Sequence, residues 1–200
     1  MTGTVSLPLT AEIALFARAA GYALESLAEV TDADLGRPTP CGDWNLRTLL
    51  LHLADTADGL TGLALTGEPA LPSLPRTDDA DPAAVARDRL LRLLDALTSA
   101  AADDRPGDQD RAAHAPAAAR GGAIEVAVHG WDVATACSSG RAMPPGLATA
   151  LLQAATALVE DGARPGLFAA PVAPPPGAGP EDRLVAFLGR RPAAGPHGGS

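Results

Sequence analysis

Apolar residues recur every three or four positions through most of the chain, which is the spacing of one face of an amphipathic helix. We predict a first helix from about Thr10 to Leu27, whose apolar stripe is Ile13, Phe16, Ala20, Leu24 and Leu27. A second helix is predicted to start after Asn45, a good N-cap, and to end at Gly67 with Pro69.

Three further helices are predicted from the same spacing and from helix-start signals. They run from Asp81-Pro82 onward, from Pro116 or Gly122 to near Gly140, and from Pro144-Pro145 onward. A short amphipathic helix is predicted over 181–189. No run alternates with the period of a strand, so the pattern predicts an all-α protein built as a helical bundle.

Segments rich in proline, glycine or charge separate these helices. They predict a linker at 68–82, a polar stretch at 103–111 and an extended strap at 168–180. We expect a bundle domain over residues 1–162, a C-terminal strap and helix over 163–192 that packs on it, and a disordered tail over 193–200.

The composition supports a helical fold and excludes some partners. Hydrophobic residues make up 46% of the chain but aromatic ones only 3%, and much of the apolar share is alanine, which favours helix over sheet. The formal net charge is −9, and all 15 basic residues are arginine. We expect such a chain to repel nucleic acid and anionic membranes.

The cysteines and the N-terminal residues indicate the compartment. Cys41 and Cys137 lie far apart and form no C-x-x-C motif, which favours reduced thiols over a disulfide. The first eight residues contain no basic segment followed by an apolar one, and no apolar run is long enough to span a bilayer. We therefore expect a cytoplasmic protein.

Two polar residues interrupt the apolar fourth helix at a spacing that suits a metal ion. Glu125 and His129 are four residues apart, so their Cβ atoms would lie about 5–6 Å apart on one face. His52 occupies the apolar face of the second helix. Two histidines and one glutamate are a catalytic ligand set for zinc that leaves a coordination position open.

Other interpretations of these residues remain open at this point. A histidine on an apolar face can be a hydrogen-bonded core residue, and a Glu-x-x-x-His pair also occurs without a metal. Asp132, one turn beyond His129, is a partner that orients an imidazole, a surface charge, or a hydrogen-bond partner of a neighbouring loop. Cys41 precedes a helix N-terminus and is either a reactive thiol or an inert one; Trp44 and Trp131 are expected to pack the bundle.

Three segments, in order along the chain, resemble the mycothiol-dependent maleylpyruvate isomerase family. The first is 39–47 (TPCGDWNLR) with the following Leu50-Leu51-His52, which is similar to the family's opening motif. The second is 125–134 (EVAVHGWDVA), and the third is 183–192 (RLVAFLGRRP), which is similar to the ending of an actinobacterial subgroup. Together the three motifs are more specific than any one of them.

The resemblance implies a DinB-like four-helix bundle that holds a divalent metal, usually zinc, at His52, Glu125 and His129. It also implies mycothiol as a thiol co-substrate and a small electrophilic substrate, in an isomerase or a thiol S-transferase. The family's isomerases carry a second, α/β domain that we do not expect in this chain. The resemblance therefore implies the helical fold and the metal site rather than one particular reaction. An anionic substrate would need a cation, and Arg47 or Arg120 could supply it.

Two alternatives compete with a thiol-dependent enzyme. One is a hydrolase that uses metal-activated water at the same site, for which Asp132 is the nearby candidate base. The other is a bundle that binds metal or a small ligand without catalysis. A homodimer formed through a helix face is compatible with each of them.

Overall fold

All regular structure in the described part of the chain is helical. The computed structural model describes residues 8–70, 81–102, 109–160 and 168–192. Its α-helices are α1 (Leu9–Leu27), α2 (Leu46–Thr66), α3 (Pro82–Ala102), α4 (Gln109–Ala136), α5 (Pro145–Glu160) and α6 (Pro180–Phe187). The described residues contain no strand, only one isolated bridge between Pro38 and Asn45. The expected all-α class is confirmed.

The ends of α2 follow the capping residues of the sequence. The Asn45 side chain accepts a hydrogen bond from the backbone N–H of Thr48 at 2.9 Å. Gly67 ends the helix in the left-handed conformation at φ 79°, and its N–H donates to the carbonyl of Leu63. An N-cap of this kind contributes about 1 kcal/mol. Both predicted limits of α2 are therefore confirmed.

The predicted limits of α4 were wrong at both ends. The helix begins at Gln109, so Pro116 lies inside it and His114 lies on it rather than in a preceding loop. A proline within a helix costs one backbone hydrogen bond, and burial of the alanines around it, Ala115, Ala118 and Ala119, offsets that loss. The helix ends at Ala136, because Ser138 adopts a positive φ of 55°.

Three helices of the N-terminal unit have defined directions. Glu12 of α1 bonds Arg120 of α4, and Ala23 of α1 lies against Gly130, so α1 and α4 run in the same direction. His52 of α2 lies beside His129 of α4, whereas Gly67 at the end of α2 lies beside His114. Helices α2 and α4 are therefore antiparallel.

Small residues let α1 and α4 pack closely. A Cβ added at Gly130 would lie 2.9 Å from the Cα of Ala23, which is closer than any side chain tolerates. Large apolar residues fill the rest of the core of this unit, and the fully buried ones are Phe16, Leu27, Leu46, Leu49, Leu50, Leu53, Leu90, Leu93, Leu97 and Ile124. Helix α3 packs against α2 and α1, which completes the four-helix bundle.

Residues from Ala142 onward form a second compact unit, and those up to Arg141 form the first. In the second unit α5 packs on α6, and the Glu181 carboxylate accepts a hydrogen bond from the N–H of Met143. Residues 168–179 contain no helix, and the backbone N–H of Val172 donates to the carbonyl of Ala186 at 3.0 Å; the extended strap itself stays a prediction.

Some expectations are not tested by these residues. The domain limit at residue 162 and the packing of 163–192 on the bundle remain predictions. The centre of the predicted linker (71–80), most of the polar stretch (103–108) and the tail (193–200) lie outside the described residues. No helix in the described ranges is long and apolar enough to cross a membrane.

Candidate metal centre

An ordered loop before α2 supplies one wall of the candidate site. Its two arms are joined by hydrogen bonds from Thr39 to the Trp44 carbonyl, through N–H at 3.1 Å and Oγ1 at 2.9 Å. Gly42 permits the tight turn at its tip with a φ of 59°. The loop therefore fixes the positions of Cys41 and Trp44 at the N-terminal end of α2.

The two helices place three predicted ligands together. His52 comes from α2, and Glu125 and His129 come from adjacent turns of α4. One ligand atom from each of the three lies within 4.8 Å of the other two. The rings of His52 and His129 meet edge to face, with centroids 5.2 Å apart.

The separations match those around one small cation. Metal–ligand distances of about 2.0–2.1 Å in a tetrahedral zinc site put neighbouring ligand atoms about 3.3 Å apart. His129 Nε2 and Glu125 Oε2 are 3.3 Å apart. The Glu125 side chain is only 17% exposed, so it points into the cluster rather than into bulk solvent.

One oxygen of this cluster lacks a hydrogen bond. Glu125 Oε1 is buried, and no donor among the described residues reaches it. A buried carboxylate oxygen without a partner costs free energy, and coordination to a cation would remove that cost. Together with the donor set of two imidazoles and one carboxylate, this orphaned oxygen fits a divalent metal.

Both ring nitrogens of His129 contact a carboxylate. Its Nδ1 lies 3.1 Å from Asp132 Oδ2, on the ring edge away from the Glu125 contact at Nε2. Burial disfavours the charged imidazole, but the hydrogen bonds with Asp132 and Glu125 outweigh burial and raise the pKa of His129 above its ordinary value. Asp132 is fully buried, so it is not a surface charge.

His52 contacts two neighbours, Trp44 and Thr56, that were not among the predicted site residues. The Trp44 ring, expected only to pack the bundle, lies 4.7 Å from the His52 ring, centroid to centroid. Thr56 Oγ1 lies 3.4 Å from His52 Nε2. The spacing of four residues between His52 and Thr56 was a signal available in the sequence; the Trp44 contact depends on the path of the loop.

The two candidate anion-binding arginines lie apart from each other. Arg47 is exposed in the first turn of α2, and its backbone N–H donates to the Leu35 carbonyl at 3.0 Å. Arg120 forms an ion pair with Glu12, donating from Nε and Nη2 to the same carboxylate oxygen. The role of either arginine in substrate binding stays a prediction.

Comparisons with known proteins assign the helical unit that carries this cluster. Residues 16–134, more than half of the chain, match the family model for the mycothiol maleylpyruvate isomerase N-terminal domain. That range contains His52, Glu125, His129 and Asp132. Neither the curated proteins nor the solved structures gave a significant match.

Proposed function

Because the chain belongs to the family of mycothiol maleylpyruvate isomerase N-terminal domains, we propose that it is a divalent-metal-binding, thiol-dependent enzyme. In this proposal His52, Glu125 and His129 hold the metal, with zinc as the favoured ion. The thiol co-substrate is mycothiol, and the second substrate is a small electrophile. The reaction is an isomerisation or a thiol transfer.

The unsatisfied, buried Glu125 Oε1 beside two histidine rings carries this proposal. In the metal-free protein a proton between His129 Nε2 and Glu125 Oε2 can serve only one of the two carboxylate oxygens. A divalent cation in that position would contact the carboxylate and the imidazoles together, and it would supply the partner that Glu125 Oε1 lacks.

The residues around the cluster prepare it for a cation. Asp132 accepts from His129 Nδ1–H and would thereby leave the Nε2 lone pair for a cation bound between His129 and Glu125. The Trp44 ring restricts the orientation of the His52 ring. A bound divalent cation would lower the pKa of a thiol that coordinates it, so that thiolate is available at neutral pH.

The reaction needs no redox partner. In this proposal the thiolate sulfur would form a bond to an electrophilic carbon of the substrate, and the π electron pair of that carbon's multiple bond would move to the neighbouring acceptor group. If the sulfur leaves again after rotation about the weakened bond, the product is a geometric isomer; if it stays and the adduct takes up a proton, the product is a thioether. Both outcomes start from the same bound thiolate.

A hydrolase at this cluster has less support. Asp132, its candidate base, contacts Nδ1 of His129, whereas the contact with Glu125 is at Nε2, on the other side of the ring. A base must lie within hydrogen-bonding reach of the water that it activates. Turnover of electrophiles without added thiol would reverse this preference.

Zinc content tests the ligand set. We expect His52→Ala and Glu125→Ala each to contain one equivalent of zinc fewer than the parent, measured by elemental analysis at a free zinc concentration that saturates every site of the parent. His114→Ala is the matched control, because His114 lies at the other end of the α2–α4 pair, beside Gly67. Equal zinc in the parent and in His52→Ala would remove the proposal.

Thiol dependence tests the enzymatic part. Calorimetric titration with mycothiol should detect binding to the zinc-loaded parent and not to the zinc-treated His52→Ala protein. Electrophile consumption should require both zinc and mycothiol. Stoichiometric zinc without thiol binding would leave only a metal-binding bundle.

A further inference from the structure

His129 also belongs to a second group of metal-ligating atoms. Cys41 Sγ, an Asp132 carboxylate oxygen and a His129 ring nitrogen all lie within 4.8 Å of one another. The Nδ1 atom is the nitrogen that contacts Asp132, at 3.1 Å. The two ligand groups therefore meet at one imidazole, with Glu125 at one ring nitrogen and Asp132 at the other.

We propose that Cys41, Asp132 and the Nδ1 side of His129 form a second cation site, for zinc or a similar borderline-soft divalent ion. A thiolate, an imidazole and a carboxylate form a donor set that suits zinc, whereas harder ions such as magnesium prefer oxygen ligands alone. The site goes beyond the proposed function, because its ligands are present whether or not the first site binds metal.

The distances leave only a small adjustment for metal binding. Zinc bonds of about 2.3 Å to sulfur and 2.0–2.1 Å to nitrogen put those two ligand atoms about 3.6 Å apart. The Cys41 sulfur lies no more than 4.8 Å from the His129 nitrogen of this group, so a movement of at most about 1 Å would bring the two atoms to that separation. Asp132 already lies at ligand spacing from His129.

The loop that carries Cys41 gives the site both rigidity and access. The backbone N–H of Cys41 donates to Thr39 Oγ1 at 3.2 Å, and its carbonyl accepts from Trp44 N–H at 3.3 Å. The Cys41 side chain is half-buried, while Asp132 and His129 are buried. A cation can therefore enter from the side of Cys41 and meet buried ligands.

Sharing one imidazole makes the two sites compete. Binding at the second site releases the Cys41 thiol proton and the Nδ1 proton to solvent. Two divalent charges on one ring repel each other, so the second cation should bind at higher concentration when the first site is occupied. When the first site is removed, the second site should fill at the first equivalent.

Cobalt(II) distinguishes the sites directly, because only a sulfur ligand gives a sulfur-to-cobalt charge-transfer band in the near ultraviolet. We expect this band in the parent at the second equivalent of cobalt, and in His52→Ala at the first. Cys41→Ser should abolish it. Cys137→Ser, which removes the other cysteine of the chain, should retain it.

A second measurement needs no change at Cys41. In the Cys137→Ser protein Cys41 is the only thiol, and zinc should slow its alkylation by iodoacetamide by on the order of tenfold. Absence of the band in the folded parent together with no zinc protection of Cys41, or a band that survives Cys41→Ser, would overturn the second site. Failure of the first site gives a different result, namely equal zinc in the parent and His52→Ala at saturating zinc.

Discussion

Two glutamates of the bundle each bury a carboxylate oxygen that has no hydrogen-bond partner among the described residues. They differ in the side chain that contacts the other carboxylate oxygen. Glu12 on α1 is fully buried, and its Oε2 has no hydrogen-bond partner among the described residues. Glu125 on α4 is mostly buried, and its Oε1 is likewise unpartnered. Glu12 meets the guanidinium of Arg120, with Nε at 2.8 Å, whereas Glu125 meets the imidazole of His129.

The difference separates a structural ion pair from a candidate site. A guanidinium keeps its charge and its donors at every pH at which the protein is folded, so Glu12 already has a permanent cation. An imidazole can give up its proton and bind a metal through the same nitrogen. Burial of a carboxylate alone therefore does not indicate function. A partner that can exchange its proton for a metal ion, as an imidazole can, does indicate a candidate site.

Removal of Arg120 should have the largest effect on stability. Arg120→Ala leaves the Glu12 carboxylate buried without a counter-charge, and we expect the free energy of unfolding to fall by about 3–5 kcal/mol. Urea denaturation measures this change. Zinc content should be unaffected, because the guanidinium of Arg120 donates to Glu12 rather than to a proposed zinc ligand.

A double replacement tests whether the lost stability of Arg120→Ala comes from the uncompensated charge of Glu12. Glu12→Leu with Arg120→Met removes both charges and keeps apolar volume, so most of the lost stability should return. If Arg120→Ala keeps the parental stability but weakens the binding of an anionic substrate, Arg120 is the substrate ligand that the sequence analysis considered. The contrast between the two glutamates would then fail.

Zinc should stabilise the protein through Glu125 and not through Glu12. At a free zinc concentration 100 times the dissociation constant, the free energy of unfolding should rise by about 2.7 kcal/mol. The His129→Ala protein lacks the nitrogens that both proposed sites use and should show no increase. Denaturation with and without a chelator measures the effect.

The charge-free double variant at Glu12 and Arg120 is the control for zinc. It should gain as much stability from zinc as the parent does. Equal stabilisation of His129→Ala and the parent would mean that zinc binds elsewhere. The contact between Glu125 and His129 would then not indicate a metal site.

The Asp132 carboxylate should matter for affinity more than for folding. Asp132→Asn weakens the contact that orients the His129 ring, and loss of such a contact lowers metal affinity by about 10–100-fold. Competition with a zinc chelator measures the tighter site. Asp58→Asn makes the same chemical change at an ion pair with Arg89 at 3.4 Å and should leave affinity unchanged.

A fall in affinity for both asparagine variants would contradict this role. It would indicate a response to the lost charge of the whole protein rather than to the orientation of one ring. A fall for neither would make Asp132 a buried structural carboxylate of the same kind as Glu12.

Much of the fold and the candidate cluster of His52, Glu125 and His129 could be predicted from patterns within one or two helical turns of sequence. Asn45 and Gly67 delimit α2 through hydrogen bonds to residues within one turn, so the sequence contains them. Glu125 and His129 share a face because a helix has 3.6 residues per turn. His52 was recognisable because a histidine on an apolar face needs a polar partner.

Contacts between segments that lie far apart in the sequence could not be predicted from such local patterns. Glu12 and Arg120 are 108 residues apart, and their pairing depends on the register of α1 against α4, which small residues such as Gly130 permit. The Trp44 and Cys41 contacts depend on one loop conformation. The start of α4 was missed because Pro116 is a helix-breaking signal that tertiary packing overrides.

A third carboxylate, near the surface, extends the comparison with the smallest expected effect. Glu29 Oε2 is also buried and has no hydrogen-bond partner among the residues that the structure describes, whereas Oε1 pairs with Arg141. Its side chain is 34% exposed, so solvent screens the pair. Hydrogen bonds from Arg141 and then from Ser139 lower the pKa of Glu29 below its usual value.

The lowered pKa fixes the sign of the pH dependence. The unfolded chain binds a proton at Glu29 more readily than the folded protein does, so this pair stabilises the fold above the unfolded pKa. The stabilisation is lost as pH falls through the folded pKa of Glu29. Glu29→Gln should therefore reduce the acid-side slope of the free energy of unfolding and lower stability slightly at neutral pH.

Asp34 supplies the control, because its pKa is also lowered, by hydrogen bonds from the Thr31 side chain and backbone. Asp34→Asn should reduce the same slope, and the two reductions should add, because their partners differ. An unchanged slope in Glu29→Gln would mean that the pair with Arg141 is too well solvated to matter. Burial, rather than pairing, would then decide which of the three glutamates contributes to stability.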